Sequence, residues 1–574
     1  MMNKVKVIDE RLVIVDSDNE FSFKKNKSNL NISFNRSAFI FFCFLIIVLL
    51  FSIKVFYFAS ISDKNKSITK IEMTKISDKN KSITILNNDF RADIIDRNGE
   101  FLAKSVITNN IGIDPKLINN KKKFLLKLRI FFPDKNFSDI EKKISKKKFF
   151  YIEKKVSPER FEKVKLLGEK AIRTEKKITR IYPQSNLFSH VIGQIDDDNN
   201  GISGLEKSFN NQLKSKKDKL QLTLDTNIQF LIREELMKSQ KIFKTYGSAA
   251  ILMDINNGEI ISLVSLPDFD LNKREEIKDL KFINRITKGV YELGSVFKTF
   301  TLAAGLQEKA IETDTEFKNL PQSISCAGNP IREYDLNIPS DLTVEEILIR
   351  SGNIGSVRIA QKIGEEKFRN FLKQVGIINP IKFDIQEVGQ PLNINWGKCK
   401  LATAAFGHGI TTTPLQLAKG YSIISNGGYY VKPTLIKKKF YQNDRIRVIN
   451  KNISEQINPI LRKIVSTKIG TANLANIEGY DVGGKTGTAQ KSINGVYSNE
   501  KINTFVSIFP ISNPRYTLLV LLDEPKINSE YIYEYKDGTN FKLKGTPRNT
   551  AGWTSVEITG KIIEKIGPIL ATKY

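Results

Sequence analysis

Histidine is almost absent from this chain, with only His190 and His408 in 574 residues. Cysteine is nearly as scarce, with Cys43, Cys326 and Cys399 and no C-x-x-C pair. These absences exclude a multi-histidine or cysteine-rich zinc site and argue against a Ser-His-Asp triad. No metal and no cofactor is expected. Acidic residues are also under-represented: 62 Asp and Glu stand against 90 Lys and Arg, a net charge of +28. Such an excess invites a nucleic-acid or anionic-membrane partner. The lysines, however, are spread through the chain among abundant Ile and Asn, which reads as a bias of amino-acid usage, and no nucleic-acid partner is expected. Apolar residues make up 40% of the chain, enough for globular cores, and the length calls for two or three domains.

Residues 1–37 are polar and charged, without helical or strand periodicity, and read as a flexible tail. Residues 38–59 are almost wholly apolar, interrupted by Ser52 and Lys54. This run is long enough to cross a bilayer, with Lys54 close enough to one end to snorkel. The long preceding tail, and Tyr57 where a small residue is needed, disfavour a cleaved signal peptide, so an uncleaved single-pass anchor is expected. Lysines and arginines flank the run on both sides, and charge leaves the orientation open. Residues 61–69 and 76–84 repeat the same nine letters, ISDKNKSIT, within a spacer over 60–89.

Arg91 to Ala103 reads as strand, Asn-Gly turn, strand. Residues 115–180 are Lys-rich and mainly helical in pattern. From Gly247, two apolar runs around Asn256-Asn257-Gly258 predict a hairpin. Strands are expected at Val482–Ala489, Thr504–Phe509 and Tyr516–Leu522, with helices starting near Pro414 and over Val556–Ile566. Strands at both ends of this segment with helices between predict an α+β arrangement, an antiparallel sheet covered by helices. The expected domains are 90–240 and 241–574.

Ser295 and Lys298 stand three positions apart at an expected helix start, so both side chains fall on one helix face. A serine hydroxyl is a weak nucleophile near neutral pH, and a neutral lysine amine one turn away can serve as its base. S-x-x-K alone carries little weight in a chain so rich in Ser and Lys, for it also begins at Ser22, Ser67 and Ser145. Order and company set Ser295 apart. Ser351-Gly352-Asn353 follows, and then Gly484-Lys485-Thr486-Gly487-Thr488. The literal S-D-N string at Ser17-Asp18-Asn19 precedes the nucleophile, sits in a charged tail and is discounted.

This ordered set matches the signature of penicillin-binding proteins and class A β-lactamases. Further elements agree: R-x-x-x-x-D-R-N-G-x-x-L-A at Arg91–Ala103, R-x-Y-P at Arg180–Pro183, H-x-x-G at His190–Gly193, and G-x-x-G-L-E at Gly201–Glu206. From about residue 90 onwards the chain resembles the class B penicillin-binding proteins, most closely the FtsI-type transpeptidase of cell division. The resemblance implies a membrane-anchored pedestal (dimerisation-like) domain followed by a D,D-transpeptidase domain. Ser295 would attack the D-Ala-D-Ala bond of a peptidoglycan stem peptide, with Lys298 as base and its pKa lowered by burial and by Lys485 as a second cation. Ser351 would relay the proton to the leaving amine, and Asn353 would bind the substrate amide and steady Lys298. Lys485, Thr486 and Thr488 would hold the terminal carboxylate, and the N–H groups of Ser295 and Thr488 would form the oxyanion hole.

The same resemblance implies β-lactams as covalent inhibitors and a partner glycosyltransferase of FtsW type alongside other division proteins. It also implies a cytoplasmic tail and a periplasmic catalytic domain on the cytoplasmic (inner) membrane. An anchor and a pedestal argue against a β-lactamase, and no Glu stands out to activate a deacylating water. The motifs of a second, glycosyltransferase domain are absent. An elongation-type transpeptidase and a non-catalytic β-lactam-binding scaffold or sensor remain as alternatives. His190 reads as a structural residue. Cys326 and Cys399 could pair in an oxidising compartment, and the sequence leaves that open.

Overall fold

The structure is a computed structural model. It describes residues 90–573, apart from 216–217, 274–279, 393–394, 439–444, 494 and 540, together with residues 5–8, 11–16, 19–24, 39 and 41–54. The chain divides into two compact units, Met1–Asn87 and Asn88–Tyr574.

In the first unit, β1 (Val5–Ile8), β2 (Arg11–Asp16) and β3 (Asn19–Lys24) form an antiparallel three-stranded sheet. The expectation of a tail without strands fails at these residues. Val5–Ile8 and Leu12–Val15 are rich in β-branched residues, which suits them to strand pairing. Residues 41–54 are helical with almost all their apolar side chains exposed. Among the described residues no helix is long and apolar enough to cross a membrane. Residues 38, 40 and 55–59 of the expected span lie outside the described residues, as does the duplicated spacer.

The second unit opens with the expected turn between β4 (Ile94–Ile95) and β5 (Phe101–Ile113). Between residues 115 and 180 the chain forms α1 (Lys121–Phe131), α2 (Phe137–Ser145), β6 (Phe150–Val156), α3 (Pro158–Lys165) and β7 (Ile172–Ile181). A mainly helical reading is therefore corrected by two strands, both paired antiparallel to β5, while β8 (Leu220–Gln221) pairs in parallel with β4. Lysines hide them, since Glu153 to Lys155 and Arg173 to Lys177 break the apolar pattern on strands whose outer faces are solvated. Pairing with a distant strand decides the outcome there, not local periodicity. Ile111, Phe124, Leu128, Phe132, Ile140 and Phe161 belong to a small core of their own.

A second, much larger core runs from Ala92 and Ile94 through Tyr182 and Leu205 to the C-terminal helix. It surrounds a five-stranded sheet of β9 (Gly247–Asp254), β10 (Ile260–Leu266), β13 (Gly483–Ile493), β14 (Val496–Phe509) and β15 (Tyr516–Asp523). The strand order is β10-β9-β15-β14-β13, antiparallel throughout, with β13 at one edge. Every residue of β10 and β15 is buried, so helices cover both faces. They include α4 (Thr226–Phe243), α8 (Pro414–Ser425), α9 (Lys451–Ser466) and α10 (Ser555–Lys573). The expected α+β arrangement is the one observed.

The widely spaced sequence elements before Gly247 meet at one carboxylate. Arg91 Nε donates to Glu206 Oε2 at 2.9 Å and Arg180 Nε to Glu206 Oε1 at 2.7 Å, all three side chains being at most 1% exposed. Asp96 accepts from the N–H and hydroxyl of Thr226 at the start of α4, and Arg97 pairs with Glu259 in the turn before β10. These motif residues hold the parts together and carry no chemistry of their own. His190 likewise donates from Nε2 to the Lys281 carbonyl at 2.6 Å, and burial pushes its pKa down to about 4.

Candidate active site

Ser295 lies on a 3-10 turn, Gly294–Phe297, which runs directly into α5 (Lys298–Gln307). This helix is threaded through the core: residues 298–306 are all buried. Its polar groups are matched internally, Thr301 Oγ1 donating to the Ala405 carbonyl at 2.7 Å. Tyr421 of α8 donates to the Val296 carbonyl at 2.8 Å and to Thr299 Oγ1 at 2.9 Å, which pins the turn carrying Ser295.

The edge strand β13 passes against that turn at backbone distance. Gly294 has φ +62°, and a Cβ there would stand 2.6 Å from the Thr488 carbonyl oxygen. A Cβ on Gly487 would stand 2.2 Å from the Leu293 carbonyl oxygen. Both positions therefore exclude any side chain. This contact brings Ser295, Thr486 and Thr488 to one cleft of about 800 Å³.

The hairpin of β11 (Ser323–Cys326) and β12 (Asn329–Arg332) precedes two further helices, α6 (Val344–Arg350) and α7 (Asn353–Ile363). A capping box of Thr343 and Glu346 starts α6. Ser351 ends it with φ +62°, an uncommon conformation for a residue with a side chain. That turn carries Ser351 Oγ between two lysines, 3.1 Å from Lys298 Nζ and 2.9 Å from Lys485 Nζ. Lys298 Nζ also donates to the Ser351 carbonyl at 2.5 Å.

Ser295, Lys298, Ser351, Asn353, Thr486 and Thr488 line the cleft together. Lys485 does not: it is 0% exposed and lies beneath the wall, reaching Ser351 from behind. Asn353 makes no hydrogen bond to Lys298 among the described residues; its side-chain amide donates to the Arg332 carbonyl at 2.8 Å. Thr488 Oγ1 accepts from the Ala551 N–H at 2.9 Å, which leaves its own O–H free to donate into the cleft. Thr486 Oγ1 lies 2.8 Å from Thr471 Oγ1.

Burial holds the Lys298 amine down to about 7, with the Glu333 carboxylate opposing that effect. Lys485 is pushed well below the ordinary lysine value by burial and then by the charge of Lys298. Desolvation is the main cause of the lowering at both lysines, and their mutual repulsion adds to it. Glu333, Thr471 and Tyr421 escaped the sequence reading, as no spacing or motif marks them. Among the described residues no cluster of His, Cys, Asp and Glu could hold a metal ion.

Comparison with known proteins places both parts of the chain from residue 88 onwards in a family. The family model described as penicillin binding protein transpeptidase domain matches residues 248–540, and that of the penicillin-binding protein dimerisation domain matches residues 88–242. Over 498 residues the chain is 28% identical to the probable peptidoglycan D,D-transpeptidase FtsI of Caulobacter vibrioides, covering 84% of this chain and 82% of that protein. It is 29% identical over 484 residues to stage V sporulation protein D of Bacillus subtilis, covering 76% and 74%. The probable peptidoglycan D,D-transpeptidase PenA of Neisseria meningitidis is 28% identical over 479 residues, covering 77% and 81%. Among solved structures, penicillin binding protein 3 of Mycobacterium tuberculosis in complex with aztreonam shares the fold. Its TM-score is 0.62 at 22% identity, covering 83% of this chain and 96% of that one.

Proposed function

Because the chain belongs to the penicillin-binding protein transpeptidase family, we propose that it is a class B peptidoglycan D,D-transpeptidase that works through an acyl-enzyme on Ser295. Neutral Lys298 takes the proton as Ser295 Oγ attacks the carbonyl of the D-Ala-D-Ala bond. The proton passes through Ser351 to the leaving amine, and D-Ala departs as the ester forms. The amine of a second stem peptide then attacks the ester, its proton returns by the same route, and the hydroxyl of Ser295 is restored. Thr486, Thr488 and the charge at Lys485 favour the terminal carboxylate, Asn353 faces the substrate amide, and the N–H groups of Ser295 and Thr488 favour the developing oxyanion.

The observation that carries this reading is the Ser351 hydroxyl between two buried lysines, on the wall that also presents Ser295. Its oxygen can accept from the charged amine while its proton is donated to the neutral one. That makes it a proton path rather than a surface serine. A fluorescent β-lactam should label the wild type, peptide mapping should find the adduct on Ser295, and Ser295→Ala and Lys298→Ala should stay unlabelled. An adduct on Ser351, or undiminished labelling of Ser295→Ala, overturns the assignment.

Anchoring by the apolar run at 38–59, with the catalytic domain periplasmic and residues 1–37 cytoplasmic, is the topology such a substrate demands. Protease added to spheroplasts should then digest the region after Ala59. The finer role is septal synthesis beside an FtsW-like glycosyltransferase and other division proteins, since no glycosyltransferase motif stands before Gly247. Support comes from the Tyr182–Glu206 elements and from the relative in Caulobacter vibrioides whose name is FtsI. Replacing the protein with Ser295→Ala should produce filaments with blocked septa, whereas rounded cells with intact septa would move it to elongation.

A further inference from the structure

The hairpin of β11 and β12 delivers to the cleft one acidic side chain that no sequence motif accounts for. Glu333, the residue after β12, is 8% exposed and lines the cleft beside Lys298, Ser351 and Asn353. Both carboxylate oxygens are engaged: Oε2 accepts from the Asn353 N–H and Oε1 from the Ile354 N–H, each at 2.7 Å. These are the first two N–H groups of α7, and they have no acceptor within the helix. A Cβ added to Gly352 would stand 3.7 Å from Glu333 Oε1. The carboxylate therefore lies against the same turn that carries Ser351 Oγ to the lysines. Helices α1 and α9 are capped by the neutral side chains of Asn120 and Asn450. Here a charged and buried group does that work from a third chain segment, and its charge is the attraction acting on Lys298.

We propose that Glu333 is a positioning residue for acylation: its two hydrogen bonds set the Ser351–Asn353 turn, and its charge serves as counter-ion to the buried Lys298. The proposal rests on the reading of Ser295 as nucleophile and Lys298 as its base. The other charged groups around the site are Lys485 from β13, Arg350 at the end of α6, Arg332 and Asp335 on either side of Glu333, and Lys468, Lys501 and Arg548 on the cleft wall, with His408 as a further titratable group. Of these Lys485 repels Lys298, Arg332 is exposed, and Asp335 accepts from the Asn337 N–H at 3.1 Å. None can replace the Glu333 carboxylate at the start of α7.

The test measures acylation of the full-length protein by a chromogenic β-lactam from about pH 5.5 to about pH 9.5, for the wild type, Glu333→Gln and Glu333→Asp. The wild-type rate should rise with a midpoint near the value of about 7 held by Lys298. Glu333→Gln should move that midpoint about 1 unit lower, because the opposing charge is gone. Its plateau should fall about tenfold as the turn shifts. Glu333→Asp keeps the charge but retracts the carboxylate, so it should keep the midpoint and lose plateau. A group that only caps a helix would lower the melting temperature and leave the midpoint in place, so a wild-type midpoint in Glu333→Gln overturns the proposal. If Glu333→Gln does not fold, Glu333→Asp decides: an undiminished plateau or a displaced midpoint overturns it. Failure of the wild type itself to acylate at Ser295 strikes the transpeptidase reading instead, and it is told apart by not depending on position 333.

Discussion

Lys485 donates to the hydroxyl of Ser351 at 2.9 Å, across 134 residues of sequence, from a position with no solvent exposure. The relationship ties the edge strand of the sheet to the turn between α6 and α7. It also makes Ser351 the meeting point of both lysines. Removing its hydroxyl in Ser351→Ala should lower β-lactam acylation by about 10²–10³-fold, the range of a lost proton-transfer group. Ser351→Gly should lose as much activity yet melt at the same temperature or higher, because glycine adopts φ +62° without strain. Stopped-flow acylation and thermal melts on both variants check the pair. Equal losses of stability in the two would contradict the assignment of strain.

Two amines without a carboxylate hydrogen-bonded to them should make the site costly to fold at low pH. Both amines titrate below the ordinary lysine value when folded: burial brings Lys298 down to about 7, and burial with the charge of Lys298 pushes Lys485 well down. Between about pH 7 and about pH 10.4 the unfolded chain holds a proton on Lys298 that the folded chain does not. Stability due to this group therefore rises with pH across that window, by up to about 1.4 kcal/mol per unit, and below it the full penalty applies. Lys485→Met should accordingly be inactive but more stable than the wild type at neutral pH, and the advantage should shrink as the solution becomes alkaline. Denaturant melts of the two proteins at several pH values measure the difference. An advantage that grows with pH would reverse the sign argued here.

Glu206 neutralises two buried arginines, and its loss would leave both uncompensated. Glu206→Gln should cost about 3–5 kcal/mol. The surviving folded protein should acylate at the wild-type rate, because neither Arg91 nor Arg180 lines the cleft. Urea unfolding together with active-site titration separates the two quantities.

Cys326 and Cys399 form a disulfide across 73 residues, tying the β11–β12 hairpin to the segment before Lys400. Replacing both with Ser should cost about 2–4 kcal/mol. Because β12 leads directly into Glu333, acylation should slow as well. A melt and an acylation rate under oxidising and reducing conditions give the comparison, and an unchanged wild type in reductant would show the bond to be dispensable.

Much of the catalytic domain could be read locally. The hairpin at β9 and β10 follows from apolar runs around an Asn-Gly turn, and the second half of β14 and most of β15 from the β-rich runs Thr504–Phe509 and Tyr516–Leu522. The helix starting at Pro414 appears where its Thr and Pro signals lie, and α10 begins within one residue of the expectation, though it runs on to Lys573. Strands β6 and β7 could not be read in this way. Their lysines suit solvated faces, and only pairing with β5 reveals them.

The sequence by itself determined which chemical groups are available and in what order: Ser295 with Lys298 one turn on, Ser351 and Asn353, then Lys485 between glycines. Those choices depend on residue type and short spacing, which the chain carries locally. Tertiary structure alone decided that Lys485 lies beneath the cleft wall, that Asn353 turns to Arg332, and that Glu333 caps α7. It also decided that Cys326 meets Cys399, with Cα atoms 5.8 Å apart. The physical reason is desolvation and long-range contact. How far a lysine is stripped of water, and which carboxylate faces it, depends on segments that fold against it from distant parts of the chain, 53 residues away for Ser351 on Lys298 and 134 for Ser351 on Lys485.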